Sequence, residues 1–187
     1  MVKFYQHTFN YEHPWQNVTY AFWLRYPNPF ASHVLAVDVL DRHVDERGVL
    51  HTTRLVLKKG KTPKWFPEHL IKNSQAFIIE ESEVDPKSMT MVTRTKNLNH
   101  VRVMQIVETQ IFKQHAENPE WTSCKSEACI VSRFGWGMAG KIELFGQSTF
   151  AKNASKARKG MRHILQMIRE KQVGDRMPFF HTQQQSS

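Results

Sequence analysis

Apolar residues recur along this chain at two spacings, one typical of strands and one typical of helices. Alternating apolar and polar positions predict seven strands. These strands cover approximately residues 2–9, 33–40, 50–58, 75–83, 90–99, 102–113 and 121–132. Helical spacing predicts a first helix that Pro14 opens, and a long second helix over about residues 138–171. The chain therefore contains both classes of element.

Most of the predicted strands are joined by short segments rich in turn-forming residues, such as Asp45-Glu46-Arg47-Gly48 and Asp85-Pro86-Lys87-Ser88. Parallel neighbours would need long crossovers, so the pattern predicts a seven-stranded antiparallel sheet. One face of such a sheet must be covered. The long C-terminal helix is the predicted cover, and its apolar stripe contains Phe150, Ala154, Ala157, Met161, Leu165 and Ile168.

The organisation that follows is one α+β domain over residues 1–171, with a tail of residues 172–187 that lacks periodicity and is predicted to be disordered. A short helix is predicted around residues 68–73. Within the long helix Gly160 costs about 1 kcal/mol relative to alanine. We therefore expect another element to approach the helix closely at this glycine.

The first helix is followed by Arg25-Tyr26-Pro27-Asn28-Pro29, and the two prolines must end it. Arg25 is thus predicted to lie in its last turn. The next strand carries His33 on the same face as Leu35, Val37 and Val39, which predicts that His33 looks inward.

Several charged residues are directed by the same spacing arguments toward one enclosed side. The third strand places Arg54 and Lys58 on a face shared with Val56, and Lys156 lies on the flank of the helical stripe. The acidic candidate is Glu108 on the sixth strand. One carboxylate cannot neutralise several cations, and the surplus would suit a phosphate.

A basic loop with two aromatic residues follows the third strand. Trp65 and Phe66 stand beside Lys61 and Lys64, a combination that suits an anionic membrane interface. A loop whose Trp65 folds back onto the core is the alternative.

Composition and motifs narrow the possible functions. The formal charge of +9 over 187 residues favours anionic partners, either a lipid surface or a nucleic acid. No apolar run is long enough to span a bilayer. Cys124 and Cys129 are too few for a disulfide scaffold. The sequence contains no HExxH, GxSxG, GxGxxG or Walker-type motif, so we predict neither an enzyme nor a metal or cofactor site.

At Arg25-Tyr26-Pro27-Asn28-Pro29 and His33-Val34-Leu35 the sequence resembles the PRELI/slowmo family of mitochondrial intermembrane-space lipid-transfer proteins. The resemblance continues through Thr53-Arg54-Leu55, Pro63 with Trp65, Val84-Asp85-Pro86, Met89-Thr90-Met91, Asn97-Leu98-Asn99-His100 and residues 150–161. It implies a curved antiparallel sheet that encloses a lipid cavity and is closed by the C-terminal helix, similar to phosphatidylinositol-transfer and START-like folds.

The resemblance is greatest to the branch of this family that carries phosphatidic acid. It implies a soluble carrier that moves phosphatidic acid between the outer and inner mitochondrial membranes, supplies cardiolipin synthesis and contacts anionic membranes peripherally. It also implies a heterodimer with a small helical intermembrane-space protein that carries twin paired-cysteine motifs.

Site residues are implied in the same way. The headgroup set is Arg25, His33, Arg54, Lys58, Glu108, Asn153 and Lys156. The gating loop that meets the membrane contains Lys61, Lys64, Trp65 and Phe66. Thr149 departs from the family pattern, in which a basic residue is usual at this position.

Three alternatives remain. The first is a phosphatidylserine carrier of the slowmo branch. The second is a nucleic-acid-binding protein, although the predicted sheet faces lack the ladder of aromatics and lysines that this function needs. The third is a START-like hydrolase or isomerase with His33 and Glu108 as an acid–base pair, although no nucleophile accompanies them.

Overall fold

Hydrogen bonds between neighbouring strands join seven strands into one sheet in a computed structural model that describes residues 2–60, 62–66, 74–135 and 137–174. The strands are β1 (Lys3–Tyr11), β2 (Val34–Val44), β3 (Leu50–Lys59), β4 (Gln75–Asp85), β5 (Thr90–Asn97), β6 (Gln105–Gln114) and β7 (Thr122–Val131). The α-helices are α1 (Trp15–Leu24) and α2 (Ala139–Gly174), with a short 3-10 helix at Pro29–Ala31. The seven predicted strands, the predicted first helix and the long second helix are confirmed.

The predicted antiparallel sheet and the α+β class are confirmed as well. All six pairings are antiparallel, and the strand order is β1-β7-β6-β5-β4-β3-β2. Consecutive strands from β2 to β7 are neighbours, and β1 pairs with β7. The sheet is therefore open, with β1 and β2 at its edges.

Two sequence predictions concern segments that are described only in part. The predicted helix at 68–73 lies outside the described residues. Helix α2 continues three residues past Lys171 to Gly174, and residues 175–187 lie outside the described part of the chain. The disordered tail stays a prediction.

Helix α1 and the second half of α2 pack against one end of the sheet, which we call the packed end. Here Phe22 of α1 meets Phe112 of β6 edge-on, and both belong to a buried cluster with Met91, Met161 and Leu165. The Trp15 indole donates to the carbonyl of Phe112. The opposite end, called the open end, contains the β3–β4 connection, the β5–β6 loop (98–104) and the start of α2. The core thus fills only part of the space that α2 covers.

The reasoning that placed His33 on an inward apolar face is wrong in its details. Strand β2 shifts register twice against β3, between Val34 and Ala36 and between Val39 and Asp41. The first irregularity takes Leu35 out of the alternation of faces, and Leu35 is exposed. Val39 lies opposite Arg54 but is also exposed, on a strand at the edge of the sheet. His33 itself precedes the strand, and its carbonyl accepts from the backbone N–H of Lys59.

The close approach predicted at Gly160 is confirmed, and its partner is Asn28 in the turn between the two prolines. A Cβ added to Gly160 would lie 2.9 Å from both amide atoms of Asn28. That amide is already engaged, because Nδ2 donates to the carbonyl of Arg25 and Oδ1 accepts from the N–H of Phe30. Gly160 therefore lets α2 rest on the turn that follows α1.

Replacing this glycine should destabilise the protein. Gly160→Ala is expected to lower the free energy of unfolding by about 1–3 kcal/mol despite alanine's higher helix propensity, because the methyl group must displace the Asn28 amide. Gly140→Ala is the matched control in the same helix, since a Cβ there meets nothing within 4 Å. The control is expected to be neutral or stabilising. Equal effects of the two substitutions in urea unfolding would contradict the proposed contact.

Candidate functional site

A cavity of about 450 Å³ lies between the sheet and helix α2. At the packed end it is bounded by the core residues Phe22, Phe112 and Met161. Toward the open end its lining includes Thr62 and Phe145. Much of the remaining wall is apolar and is formed by Phe9, Val56, Ile78, Val103, Met104, Ile106 and Phe150. This size and lining fall within the range of ligand-binding pockets.

The centre of the polar wall is Glu80 on β4, which pairs with two arginines. Arg54 lies directly opposite Glu80 in the β3–β4 register, and its Nε donates to Oε1 at 2.8 Å. Arg25, which caps the C-terminus of α1, donates through Nη2 to Oε2. The Glu80 side chain is only 3% exposed. Three elements thus converge on one buried carboxylate.

The charges of these arginines control the ionisation of Glu80. Burial by itself raises the pKa of the Glu80 carboxyl, but the positive charges of Arg25 and Arg54 outweigh burial and hold the pKa below its ordinary value. Glu80 therefore remains ionised. It neutralises one positive charge and leaves the pair of arginines with an excess of one.

Aromatic rings of α1 fix both guanidinium groups. The Arg25 guanidinium lies 3.6 Å from the Phe22 ring centroid, and that of Arg54 lies 4.8 Å from the Trp23 centroid. The buried Nε of Arg25 donates no hydrogen bond within the described part of the protein. Other atoms of Arg25 line the cavity.

Glu108 occupies a different environment. Its carboxylate accepts hydrogen bonds from Ser126 Oγ at 2.9 Å and from Gln110 Nε2 at 2.8 Å, both neutral donors. Burial raises the pKa of the Glu108 carboxyl, and the charge of Lys58 opposes this rise only in part. The described donors to Glu108 are therefore neutral, whereas those to Glu80 are two arginines.

Most of the predicted headgroup residues are brought together in this cavity. Those that line it are Arg25, His33, Lys58, Glu108, Asn153 and Lys156. Asn153 and Lys156 are otherwise exposed, so they lie on the rim formed by α2. Arg54 contacts Glu80 and is not part of the lining. Thr149 also lines the cavity.

Sequence reasoning missed Glu80 as the acidic partner. It also missed four other polar residues of the lining, which are Lys59, Lys96, His100 and Arg158. Among the described residues, six lysines and arginines and two glutamates belong to the lining, and three of the six, Lys59, Lys96 and Lys156, are exposed. The wall therefore carries an excess of positive charge.

Some residues of the predicted gating loop are exposed and others are buried. Lys64 is exposed, and Trp65 is 45% exposed with its ring edge-on to Phe145 of α2. Phe66 is buried and contacts Phe134, which follows β7. Lys61 lies outside the described residues. Trp65 thus combines the two interpretations left open by the sequence, because it packs on the protein and still meets solvent.

An open, curved sheet whose cavity is covered by a long C-terminal helix defines the class of START-like folds. The Zhui aromatase/cyclase of Streptomyces sp. R1128 is similar in structure, with a TM-score of 0.61 and 9% sequence identity over 89% of this chain and 94% of that one. TTHA0849 of Thermus thermophilus has a TM-score of 0.56 at 12% identity over 89% and 99% of the two chains. At these identities the likeness shows the fold alone.

The PRELI-like family matches residues 16–171, and the chain belongs to this family. PRELI domain-containing protein 1, mitochondrial, of Gallus gallus is 38% identical over 156 residues, which are 81% of this chain and 71% of the relative. Protein UPS1, mitochondrial, of Saccharomyces cerevisiae is 35% identical over 170 residues, or 91% and 97% of the two chains. The resemblance inferred from the sequence is confirmed. No helix in the described residues is long and apolar enough to cross a membrane.

Removing the shared carboxylate should destabilise the fold strongly. Glu80→Gln is expected to cost about 3–5 kcal/mol in the free energy of unfolding, because it leaves two buried guanidinium groups without a counter-charge. Glu81→Gln is the control on the same strand, where the side chain is exposed, and should change stability by less than about 0.5 kcal/mol. Urea unfolding of both variants is the measurement. A loss below about 1 kcal/mol, on the order of a surface substitution, would contradict the assigned role of Glu80.

Glu108 should give the protein a pH dependence of the opposite sign to that of Glu80. A raised pKa in the folded state means that this group's contribution to stability is complete below the ordinary value of 4.5 and is lost as pH rises through the folded value. Glu108→Gln removes that loss and leaves Glu80 unchanged. The unfolding free energy of the variant minus that of the wild type should therefore increase with pH, as measured by urea unfolding from acidic to neutral pH. A constant difference would contradict the assignment.

Proposed function

We propose that this protein is a carrier that extracts one anionic phospholipid from a membrane and holds its phosphate against the positive wall of the cavity. The observation that carries the proposal is the excess of cations in a cavity of about 450 Å³ that has a large apolar wall. An apolar wall suits acyl chains. The two glutamates, Glu80 and Glu108, do not balance all the cations of the lining, and a bound phosphate would supply the remaining negative charge.

The cations are chemically suited to a phosphate group. Arginine offers planar, forked donors that match phosphate oxygens, and lysine adds a compact point charge. Arg25 and Lys58 both line the cavity, and Lys58 is close enough for its charge to act on both Glu80 and Glu108. We propose that Arg25 and Lys58 hold the phosphate, with His33, Asn153 and Lys156 nearer the rim.

Phosphatidic acid is the cargo that we propose in preference to phosphatidylserine. Its terminal phosphate carries a charge of more than one at neutral pH, which matches a surplus of cations. Phosphatidylserine would also bring an ammonium group that needs a carboxylate. Glu80 is already shared by two arginines, and the Glu108 carboxylate already accepts hydrogen bonds from Ser126 and Gln110.

Membrane contact is proposed for the loop around Trp65. The ring is half exposed beside Lys64, and it packs against α2 at the end of the cavity that the core does not fill. Tryptophan beside lysine suits the headgroup region of an anionic bilayer. Movement of this loop, with Phe66 and Lys61, would open the cavity to lipid.

The cellular setting follows from the family and is likewise a proposal. The named relatives are mitochondrial proteins. We propose transfer between the outer and inner mitochondrial membranes across the intermembrane space, in support of cardiolipin synthesis. The role is one of binding and transport, without catalysis.

A heterodimer with a small helical protein that carries twin paired-cysteine motifs is part of the proposal. Strand β2 is a sheet edge, and its side chains Leu35, Val39 and Leu40 are exposed. Exposed apolar residues on an unpaired edge favour coverage by another chain. Co-elution of the two proteins, lost on Leu40→Glu, would support this surface.

Substituting the cavity lysine tests the cargo directly. Lys58→Gln is expected to weaken binding of short-chain phosphatidic acid by about tenfold or more, because it removes one charge-assisted hydrogen bond to the phosphate. Lys152→Gln is the control on α2, since Lys152 is exposed and is not part of the lining. Native mass spectrometry gives occupancy and lipid identity, and vesicle-to-vesicle transfer gives the rate.

Two results would overturn the proposal. The first is equal binding and transfer by the Lys58 and Lys152 variants. The second is a wild-type protein that carries nucleic acid and no phospholipid. Preferential loading with phosphatidylserine from mixed vesicles would retain a carrier function and reject phosphatidic acid as its cargo.

A further inference from the structure

The exposed charges of the protein are distributed unequally between its two ends. The connections at the open end are β3–β4, β5–β6 and β7–α2, and their described part has no acidic residue but carries the exposed cations Lys64, Arg102 and Arg133. The connections at the packed end carry Glu12, Asp45, Glu46, Glu117 and Glu120 against two cations, Arg47 and Lys87. An anionic surface would therefore attract the connections of the open end more strongly than those of the packed end.

Side-chain hydrogen bonds fix the β5–β6 loop at the open end. Asn97 Nδ2 donates to the carbonyls of Asn99 and Met104 at 2.8 and 2.9 Å. Asn99 in turn donates to the carbonyl of Gln75 and accepts from the N–H of Phe77. These asparagines hold the loop in place and are not free to bind a headgroup.

The outward residues of this loop are Leu98, which is 50% exposed, and Val101, which is 38% exposed. A single exposed leucine is ordinary. Here, however, two apolar side chains point outward from a loop fixed by side-chain hydrogen bonds, with Lys96 and Arg102 exposed beside them. Exposed apolar side chains with cations beside them are complementary to an anionic lipid surface.

The loop also lies beside the proposed entrance. Its residues His100, Val103 and Met104 line the cavity, as Thr62 does from the other side. The Met104 sulfur packs directly on Gly146 of α2. The preceding residue, Phe145, is the one that Trp65 meets edge-on. Trp65 and the β5–β6 loop therefore border the same turn of α2.

We infer that the β5–β6 loop is a second membrane-docking element, in which Leu98 and Val101 enter the headgroup region of an anionic bilayer while Lys96 and Arg102 meet its phosphates. This inference rests on the proposed carrier function. The loop is a fixed contact, because its hydrogen bonds tie it to β4 and to the start of β6. It would hold the cavity mouth against the membrane while the loop around Trp65 moves.

The test compares three single substitutions that each add one carboxylate to an exposed apolar position of the full chain. Leu98→Glu and Val101→Glu alter the proposed surface. Met167→Glu is the matched control, because Met167 is 43% exposed and lies on the second half of α2. The probes are vesicles of phosphatidylcholine with phosphatidic acid, measured by flotation. Far-ultraviolet circular dichroism and urea unfolding establish that each variant folds.

The two loop variants are expected to lose vesicle binding by about tenfold or more, because each exchanges apolar burial for a charge of the same sign as the membrane. Met167→Glu should bind as the wild type does. Binding of soluble short-chain phosphatidic acid should be equal in all four proteins, since none of the substituted residues lines the cavity.

Unchanged vesicle binding by the loop variants, or an equal loss in the Met167 variant, would overturn the inference. Self-association of the wild type that Leu98→Glu abolishes without affecting vesicle binding would also overturn it, because the surface would then contact a second copy. The proposed function fails separately, if the wild type does not bind short-chain phosphatidic acid at all.

Discussion

The structure depends on the sharing of one buried carboxylate by two arginines. Glu80 joins the end of α1, through Arg25, to β3, through Arg54. Burying two guanidinium groups is costly unless they are paired. Glu80 makes that burial tolerable but neutralises only one of the two charges. The cluster of Glu80 with its two arginines therefore stabilises the wall of the cavity and also leaves that wall positively charged. One interaction thus contributes to both the fold and the site.

The strands and their order could be predicted from the sequence because most connections are short, and short connections permit only antiparallel neighbours. The inward direction of Arg54 and Lys58 could be predicted for a related reason. Strand β3 is paired without irregularity to β4, so its alternation of faces is regular. His33 shows the limit of this reasoning, because the edge strand β2 changes register twice and alternation fails there.

Glu80 could not be predicted for two reasons. The connection between β3 and β4 runs from residue 60 to residue 74, which is too long to fix the register that places Glu80 opposite Arg54. The local pattern is also uninformative. Ile78-Ile79-Glu80-Glu81 contains two apolar and then two acidic residues, so period-two alternation does not say which glutamate is buried. Glu108 lies between Ile106 and Phe112 on a regular strand, so the sequence pattern identified Glu108 instead as the buried acidic residue.

The turn after α1 links this electrostatic site to the helix that covers it. Asn28 binds the carbonyl of Arg25 and the N–H of Phe30, and Gly160 of α2 rests on its amide. A displacement of α2 at this point would therefore act on the backbone of the residue that we propose as a phosphate ligand. Binding of an anion would in turn stabilise the folded state by mass action, because it adds the missing negative charge only when these elements are assembled. The carrier that we propose must also release its cargo, and a wall in which Glu80 already satisfies part of the cationic charge binds a phosphate less tightly than unpaired arginines would. The shared carboxylate thus favours a balance between holding a lipid in transit and releasing it at a membrane.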